Sequence, residues 1–332
     1  MLADMKYRTL GKIGYEVSEV ALGTWQVGGR WGEPFDDKCA EEILNRAIDR
    51  GVNFVDTADV YGDGRSEAAV GRVVRSRNET IYVATKCGRQ LNPHVAEAYT
   101  PEAMRGFVEK SLRNTGLERI DLVQLHCPPT EVYYRPEVFE VFDRLRDEGK
   151  IANLGVSVEK VEEALKAIEY DNVTTVQIIY NMYRHRPAER FFPAAVERNV
   201  GIIVRVPLAS GLLSGKFSES STFAEGDHRN FNREGAAFDR GETFGGVDFE
   251  TGVKATRELQ HKLGDDHPLA AMAIRWILME QAVSTVIPGA SSTGQVESNV
   301  AAAGLAPLSE QQMQAVREVY DKWIRKRVHE RW

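Results

Sequence analysis

Residues 120–157 read IDLVQLHCPPTEVYYRPEVFEVFDRLRDEGKIANLGVS, and this stretch carries the pattern on which the fold prediction rests. Two short apolar runs, IDLVQLH and IANLGVS, flank the segment 136–149, in which apolar residues recur at three- and four-residue spacing up to a glycine. The runs predict buried strands, and the spacing between them predicts an amphipathic helix that ends at the glycine. The stretch therefore predicts a strand–helix–strand unit with parallel strands.

The same alternation continues in both directions along the 332 residues. The other strand-like runs are VALGT (20–24), NFVDT (53–57), TIYVATK (80–86), TVQIIYN (175–181), IIVRVP (202–207) and STVIPG (284–289). With the first two they make eight, the number of strand–helix units that closes a barrel. The sequence therefore predicts an α/β fold, a (β/α)8 TIM barrel, as one domain spanning residues 1–332.

Two segments lie outside the alternation. KYRTLGKIGYEVSEV (6–20), with a turn region at Gly11–Gly14, predicts a β-hairpin before the first barrel strand. Residues 211–251, after the seventh strand, have poor periodicity and much Gly, Ser, Asn and charge. A long loop of that composition is either a functional lid or disordered.

Charge and composition exclude several classes of protein. The net charge is −7 without a concentrated basic face, which argues against a nucleic-acid partner. No apolar run approaches the roughly 18 residues of a membrane span, and Asp4 and Lys6 interrupt the place of a signal-peptide core. The three cysteines form no CxxC pair, as is usual in a reducing compartment. We expect a cytoplasmic protein that binds neither nucleic acid nor membranes.

Ionisable residues close three consecutive predicted strands, namely Asp56, Lys86 and His126. Each alone has an ordinary explanation as a turn cap, a surface lysine or a core histidine. Burying all three without a function costs several kcal/mol, and βα barrels carry their chemistry at these strand ends. Tyr61 follows in the loop after Asp56, where the turn is expected to fold it back toward Lys86 and His126. The set therefore predicts an active site.

The sequence lacks the motifs of two other enzyme classes. The first predicted strand ends in GTWQVGG, without the GxGxxG spacing of a dinucleotide-binding Rossmann fold. The seven histidines form no HxH pair of the kind that a metal-dependent hydrolase barrel uses. The sequence therefore predicts no metal site.

The ordered set DTADVYG (56–62), VATKCG (83–88) and LVQLHCPP (122–129) resembles the aldo-keto reductases. GLLSGK (211–216) and IPGAS (287–291) resemble the cofactor loops of the longer-looped bacterial members, so that the resemblance covers essentially the whole chain. It implies an NAD(P)H-dependent oxidoreductase that reduces aldehyde or ketone carbonyls of small molecules to alcohols.

The resemblance also implies residue roles. Tyr61 would be the general acid, Lys86 would lower its pKa, Asp56 would hold Lys86, and His126 would orient the carbonyl. Lowering the pKa of a tyrosine from ~10 to about 8 requires roughly 2.7 kcal/mol. An ammonium about 4 Å away contributes up to roughly 4 kcal/mol at an effective dielectric of 20, so that one lysine is enough.

For the cofactor, the resemblance implies that Ser157 and Gln177 hold the nicotinamide carboxamide. The segment from Leu208 to Lys216 would cover the pyrophosphate, and residues after strand eight would bind the nucleotide phosphate. The remaining implied contacts are Gly211, Leu213, Gly289, Ser291, Gln295 and Asn299.

The chain departs from the family pattern at three places. Val158 stands where an Asn is usual, and Arg205 stands where an aromatic residue commonly stacks on the nicotinamide. Two readings of Arg205 stay open, because a planar guanidinium can stack and can equally pair with a nearby acid. Residues 289–295 lack the cation that usually accompanies NADP(H). We keep NADP(H) as the favoured cofactor and NAD(H) as the alternative, with Lys216, Arg229 or Arg233 as sources of the missing charge.

Two questions remain at the level of function. Some proteins that resemble this family bind the nucleotide but serve as regulatory subunits with little turnover, and the intact catalytic set fits that reading as well. Aromatic residues in two βα loops are candidates for lining an apolar substrate pocket: Trp25, Trp31, Tyr133 and Tyr134.

Overall fold

Eight parallel strands form a closed barrel in the computed structural model, which describes residues 5–29 and 33–332. Each of these eight strands is hydrogen-bonded to the next in chain order. Parallel bridges from Val20 to Val286 and from Gly23 to Gly289 join the last strand to the first. The predicted (β/α)8 barrel is therefore confirmed.

Most strand bounds follow the apolar runs closely, but the first and last barrel strands are only two residues long. The strands are β1 (Tyr7–Thr9), β2 (Glu16–Ser18), β3 (Leu22–Gly23), β4 (Phe54–Asp56), β5 (Tyr82–Cys87), β6 (Ile120–His126), β7 (Ile151–Ser157), β8 (Val173–Ile179), β9 (Gly201–Arg205) and β10 (Thr285–Val286).

The helices lie outside the barrel, where their apolar faces cover the strands. They are α1 (Asp37–Asp49), α2 (Arg65–Ser76), α3 (Pro101–Thr115), α4 (Pro136–Asp147), α5 (Val161–Ala167), α6 (Pro187–Glu197), α7 (His228–Phe231), α8 (Phe249–Leu263), α9 (Leu269–Leu278), α10 (Thr293–Ala301), α11 (Glu310–Val319) and α12 (Arg325–Val328). Within the described part of the chain, none of them has both the length and the apolar character needed to cross a lipid bilayer.

The predicted hairpin closes the bottom of the barrel, at the end where the strands begin. β1 pairs antiparallel with β2, and the amide of Lys12 in their turn donates to the carbonyl of Asn199, 2.6 Å away, just before β9. Gly11 has a φ of +49°, and a Cβ there would lie 2.7 Å from the Asn199 carbonyl oxygen. The turn therefore requires glycine at this position, because any side chain would push the hairpin off the barrel.

The pleat of the strands divides the barrel interior into an apolar layer and a polar layer. The apolar layer contains Phe54, Ala84, Leu122 and Ile203, which form one buried cluster with residues of the hairpin. Because side chains two positions apart on a strand point to the same face, the next inward residues are Asp56, Lys86, Gln124 and Arg205. The barrel therefore presents its polar residues together at the C-terminal ends of the strands, while the hairpin seals the other end.

The loop after β9 is ordered into short turns. It contains α7 and the 3₁₀ turns Ala209–Ser214, Arg240–Glu242 and Phe244–Gly246. Of the two alternatives left open for this segment, the structure favours a lid, because the loop places buried side chains over the C-terminal mouth of the barrel, as described next.

Candidate active site

Lys86 is the centre of a buried hydrogen-bond chain at the top of the barrel. Its Nζ donates to Asp56 Oδ1, to the Thr57 carbonyl at 2.9 Å and to the Tyr61 hydroxyl at 3.5 Å. The side chains of Lys86 and Asp56 are 1% and 2% exposed, so that the ion pair is removed from water. Burial opposes the charge of Lys86, but Asp56 and Tyr61 outweigh it and hold the pKa of Lys86 above its usual value. Lys86 is therefore an ammonium that donates toward Tyr61.

The net pKa shift of Tyr61 differs from the expectation. Burial raises the pKa of Tyr61 above 10, Lys86 lowers it, and the carboxylates of Asp56 and Glu242 raise it. Lys86 acts in the expected direction, but the prediction of a net fall to about 8 is wrong. The reason is that burial removes the phenolate from water and that Asp56 neutralises the same ammonium. Tyr61 is thus a neutral phenol that still carries its proton.

His126 lies beside Tyr61, with the two rings nearly perpendicular and their centroids 6.0 Å apart. Its Nε2 is 3.2 Å from Nη1 of Arg89. Burial lowers the pKa of His126 well below its usual value, and the cations Arg89 and Lys86 add to this effect. Because a guanidinium only donates hydrogen bonds, Nε2 of the neutral ring is the acceptor.

Arg89, Glu159, Arg205 and Glu242 form a charged group that we call the mouth cluster. Arg89 donates to both carboxylate oxygens of Glu242, and Arg205 Nη1 lies 3.2 Å from Glu242 Oε2. Arg205 Nη2 donates to Glu159 Oε2 at 2.9 Å. Burial raises the pKa of Glu242, but Arg89 and Arg205 outweigh it and hold that pKa well below its usual range. Burial raises the pKa of Glu159 to about 8, since Arg205 offsets only part of the effect.

The mouth cluster decides between the two readings of Arg205. Its guanidinium pairs with two acids and also donates to the Val158 carbonyl at 2.9 Å. The structure therefore supports pairing with acids rather than an exposed plane ready for stacking. Cys127, Glu159 and Glu242 come close enough together to suggest metal ligands, but Arg89 and Arg205 already pair with the two carboxyl groups.

The two residues expected to hold the carboxamide are neighbours, because Ser157 of β7 is in register with Gln177 of β8. Ser157 is fully buried, and its hydroxyl lies 3.5 Å from Cys127 Sγ. Gln177 Nε2 donates to Asp56 Oδ2 at 2.8 Å and to Gln124 Oε1 at 3.1 Å. Gln124 Nε2 donates to the same Asp56 oxygen at 3.0 Å. Both glutamines thus support the carboxylate that holds Lys86.

The expected pyrophosphate segment has an unusual backbone. Val206, Ala209, Ser210 and Gly211 all have positive φ, of 52°, 47°, 54° and 95°. A β-branched residue in this region is strained, and strain of this kind clusters at ligand sites. Within the turn, the amides of Ala209 and Gly211 donate to the carbonyls of Val206 and Leu208, at 3.2 and 2.9 Å. Leu208, Leu213 and Lys216 belong to the same turn, in which Leu213 is buried and Lys216 is exposed.

The expected phosphate segment lies at the start of α10. Gly289 bridges to Gly23, which brings the segment to the mouth of the barrel, and Asn299 Nδ2 donates to the Gly289 carbonyl at 3.2 Å. Gln295 Oε1 accepts from the amide and the hydroxyl of Ser291, at 2.7 and 3.3 Å. An amide oxygen therefore occupies an acceptor position at a helix N-terminus, where a phosphate oxygen is favoured.

Aromatic side chains cover the site from two loops. The ring of Trp25 stacks on the ring of Tyr61 with a centroid distance of 6.1 Å. It also contacts the edge of the Phe238 ring, in the loop after β9, at a centroid distance of 6.0 Å. Tyr133 is fully buried, whereas Tyr134 is 65% exposed and packs against Lys166. The expectation that Tyr134 lines the pocket is therefore wrong, and Trp31 lies outside the described residues.

Sequence reasoning missed four polar residues of the site, and one of them is Glu159 of the mouth cluster, two residues after Ser157. Gln124 had a signal, because it lies two residues before His126 and therefore on the same face of β6. Arg89 follows Lys86 by three residues, in a turn where an arginine is unremarkable. Glu242 had no signal, since 153 residues separate it from the arginine that binds it.

Comparison with known proteins agrees with this geometry. The profile of the Aldo/keto reductase family matches residues 19–321. Aldo-keto reductase YhdN of Bacillus subtilis (strain 168) is 30% identical over 302 residues, which cover 88% of this chain and 87% of that protein. A protein named probable voltage-gated potassium channel subunit beta, from Arabidopsis thaliana, is 29% identical and covers 92% of this chain and 93% of its own length. The holo form of an aldo-keto reductase from Bacillus halodurans has a TM-score of 0.76 at 28% identity, covering 95% of this chain and 96% of that one. The chain therefore belongs to the aldo/keto reductase family.

Proposed function

We propose that this protein is a nicotinamide-dependent carbonyl reductase in which Tyr61 donates the proton to the carbonyl oxygen. The observation that carries the proposal is the buried chain from Asp56 through Lys86 to the Tyr61 hydroxyl, which ends 3.5 Å from Lys86 Nζ. Because an ammonium has only donors, the phenol oxygen accepts from Lys86 and its own proton is left for another acceptor. That acceptor is the carbonyl oxygen of the substrate.

The surrounding residues divide the remaining work. A reduced nicotinamide nucleotide supplies the hydride when bound. The strained turn at 206–211 and the N-terminus of α10 would bind its phosphates, with Leu208, Gly211, Leu213 and Lys216 on one segment and Gly289, Ser291, Gln295 and Asn299 on the other. Ser157 and Gln177 hold its carboxamide. Arg89, positioned by its hydrogen bond to His126 Nε2, holds the carbonyl oxygen against Tyr61, and Trp25 excludes water.

The experiment is a carbonyl panel assayed by loss of reduced-nicotinamide absorbance, with NADPH and NADH, for the wild type and for Tyr61→Phe. We expect turnover by the wild type and a loss of at least about a thousandfold in Tyr61→Phe, because only the donated proton is removed. Tyr134→Phe is the matched control, since Tyr134 is an exposed tyrosine on the outside of the barrel. Equal rates in the wild type and Tyr61→Phe would contradict the proposal.

A regulatory subunit that binds the nucleotide with little turnover is the second candidate. It is favoured by the similarity to a probable potassium channel subunit and by the mouth cluster, which fills the entrance beside His126. The carbonyl panel assay distinguishes the two candidate functions. Tight nucleotide binding without oxidation of NADPH or NADH by any carbonyl would support the second candidate.

For the cofactor we propose NADP(H), with Lys216 as the cation toward the additional phosphate. Arg229 pairs with Asp227, and Arg233 lies over the ring of Phe249, so that neither offers its charge as openly as the exposed Lys216. Lys216→Gln should then lower kcat/KM for NADPH about tenfold and leave NADH nearly unchanged, because only NADPH carries the additional phosphate. Equal effects on both nucleotides would favour NAD(H).

A further inference from the structure

A carboxylate bound between two arginines lies beside the proposed reaction site. Glu242 is held through both oxygens by Arg89, with Nη1 to Oε2 at 3.4 Å, and Oε2 is 3.2 Å from Arg205 Nη1. The side chain of Glu242 is only 6% exposed, and those of Arg89 and Arg205 are 20% and 8% exposed. A guanidinium fork matches a carboxylate in shape and charge. The mouth of the barrel therefore contains a complete carboxylate-binding site.

This site is adjacent to the groups that would hold a carbonyl. Nη1 of Arg89, which contacts Glu242, is also 3.2 Å from His126 Nε2, and the His126 ring contacts the ring of Tyr61. A molecule with its carbonyl oxygen at Tyr61 and His126 would thus present the neighbouring carbon to Arg89. Arg89 also lies close enough to lower the pKa of Tyr61, although burial outweighs it.

The carboxylate now in the site comes from the lid and not from the barrel. Glu242 ends the 3₁₀ turn Arg240–Glu242, and its carbonyl accepts a hydrogen bond from Ser210 Oγ at 3.1 Å. The next turn contains Gly245 and Gly246, both with positive φ. Because this segment is not part of a strand, Glu242 can leave the site without disturbing the sheet.

Charge balance indicates what replaces Glu242. The mouth cluster contains two guanidinium groups, the carboxylate of Glu242, and Glu159, whose raised pKa of about 8 leaves it largely protonated at neutral pH. A neutral substrate that displaced Glu242 would leave a buried cation without a partner, which is costly. A substrate that brings its own carboxylate gives Arg89 and Arg205 an anionic partner again.

We propose that Arg89 and Arg205 bind the carboxylate of a 2-oxo acid, and that Glu242 occupies this position until the substrate displaces it. The reaction step rests on the function proposed above. The carbonyl carbon gains a hydride and the oxygen gains the proton of Tyr61, which yields a 2-hydroxy acid as the reduced nicotinamide is oxidised. The carboxylate is unchanged.

The first test compares pyruvate with pyruvamide, which share the ketone and nearly the same shape but differ in charge. We expect the wild type to favour pyruvate in kcat/KM by at least about tenfold, because the charge-assisted bonds to Arg89 are lost with the amide. Arg89→Gln should reduce this preference by at least about tenfold. The matched control is Arg105→Gln, since Arg105 binds Glu148 through the same paired contacts on the outside of the barrel.

The second test measures binding rather than turnover, with oxamate as the probe and thermal shift or calorimetry as the readout, with and without nucleotide. Glu242→Gln should bind oxamate at least about tenfold more tightly than the wild type, because the internal carboxylate no longer competes. If Arg89→Gln does not fold, Arg89→Gln with Glu242→Gln removes both charges together, and comparison with Glu242→Gln alone isolates Arg89.

The outcomes separate the two proposals. If the wild type reduces neutral carbonyls but not pyruvate, or if Arg89→Gln lowers pyruvate and pyruvamide turnover alike, the 2-oxo acid proposal fails and the reductase stands. If oxamate binds in an Arg89-dependent way but no carbonyl is reduced, the carboxylate site stands and the reductase fails. Weaker oxamate binding in Glu242→Gln would overturn the assignment of Glu242 as the displaced occupant.

Discussion

Replacing Lys86 by methionine removes the ammonium next to Tyr61 while keeping the length of the side chain. Nζ and the Tyr61 hydroxyl are 3.5 Å apart, and at an effective dielectric of 20 a unit charge at that distance contributes about 5 kcal/mol to a developing phenolate. Asp56 binds the same nitrogen and offsets part of this, so that about 2 to 3 kcal/mol remains. We therefore expect hydride transfer to slow by about a hundredfold.

The assay is a single-turnover measurement at saturating nucleotide, which separates the chemical step from nucleotide binding. A structural complication is that Lys86→Met leaves the buried Asp56 carboxylate without its cation, at a cost of about 3–5 kcal/mol in the free energy of unfolding. Lys86→Met with Asp56→Asn removes both charges and should recover stability but not the rate. A transfer rate within threefold of the wild type in either variant would refute the electrostatic role of Lys86.

Three further predictions follow from the buried groups and the hairpin. Because burial keeps the pKa of Tyr61 above 10, loss of the Tyr61 proton should not lower kcat/KM for reduction below pH 10. A fall in kcat/KM near pH 8 that is absent in Tyr61→Phe would contradict this prediction. Burial raises the pKa of Asp59 to about 7, so that the folded state holds a proton that the unfolded state releases near pH 4, and stability falls as the pH rises through this window. In urea unfolding, the free energy of unfolding of Asp59→Asn relative to that of the wild type should therefore be about 3 kcal/mol higher at pH 8 than at pH 5. An equal difference at both pH values would count against this prediction. Gly11→Ala should lower the free energy of unfolding by about 2 kcal/mol or more, and an unchanged urea midpoint would show that the hairpin adapts.

Much of the fold could be predicted because its signals are local. Apolar runs ending in Asp56, Lys86 and His126 located three strands and the mouth of the barrel at once, since buried strands and polar strand ends both appear in short windows of sequence. The shortest strands, β3 and β10, were predicted too long, because residues next to them join the barrel only by isolated bridges.

The mouth cluster could not be predicted in the same way. Glu242 lies in an aperiodic loop, and only the closure of that loop brings it to Arg89 and Arg205. Arg205 had two equally reasonable readings until the positions of its acidic partners were known. The pKa of Tyr61 depends on burial as well as on charge, and the sequence indicates the neighbouring charges but not the extent of burial.

The most direct test of the central claim is the hydride-transfer rate and nucleotide affinity of Tyr61→Phe, measured on the same sample. The phenol is assigned one task, which is to give up its proton beside Lys86. We predict a nucleotide Kd within about twofold of the wild type and a transfer rate lower by about a thousandfold or more. A variant that transfers hydride at the wild-type rate, or one that loses nucleotide affinity in proportion to its rate, would contradict the role assigned to Tyr61.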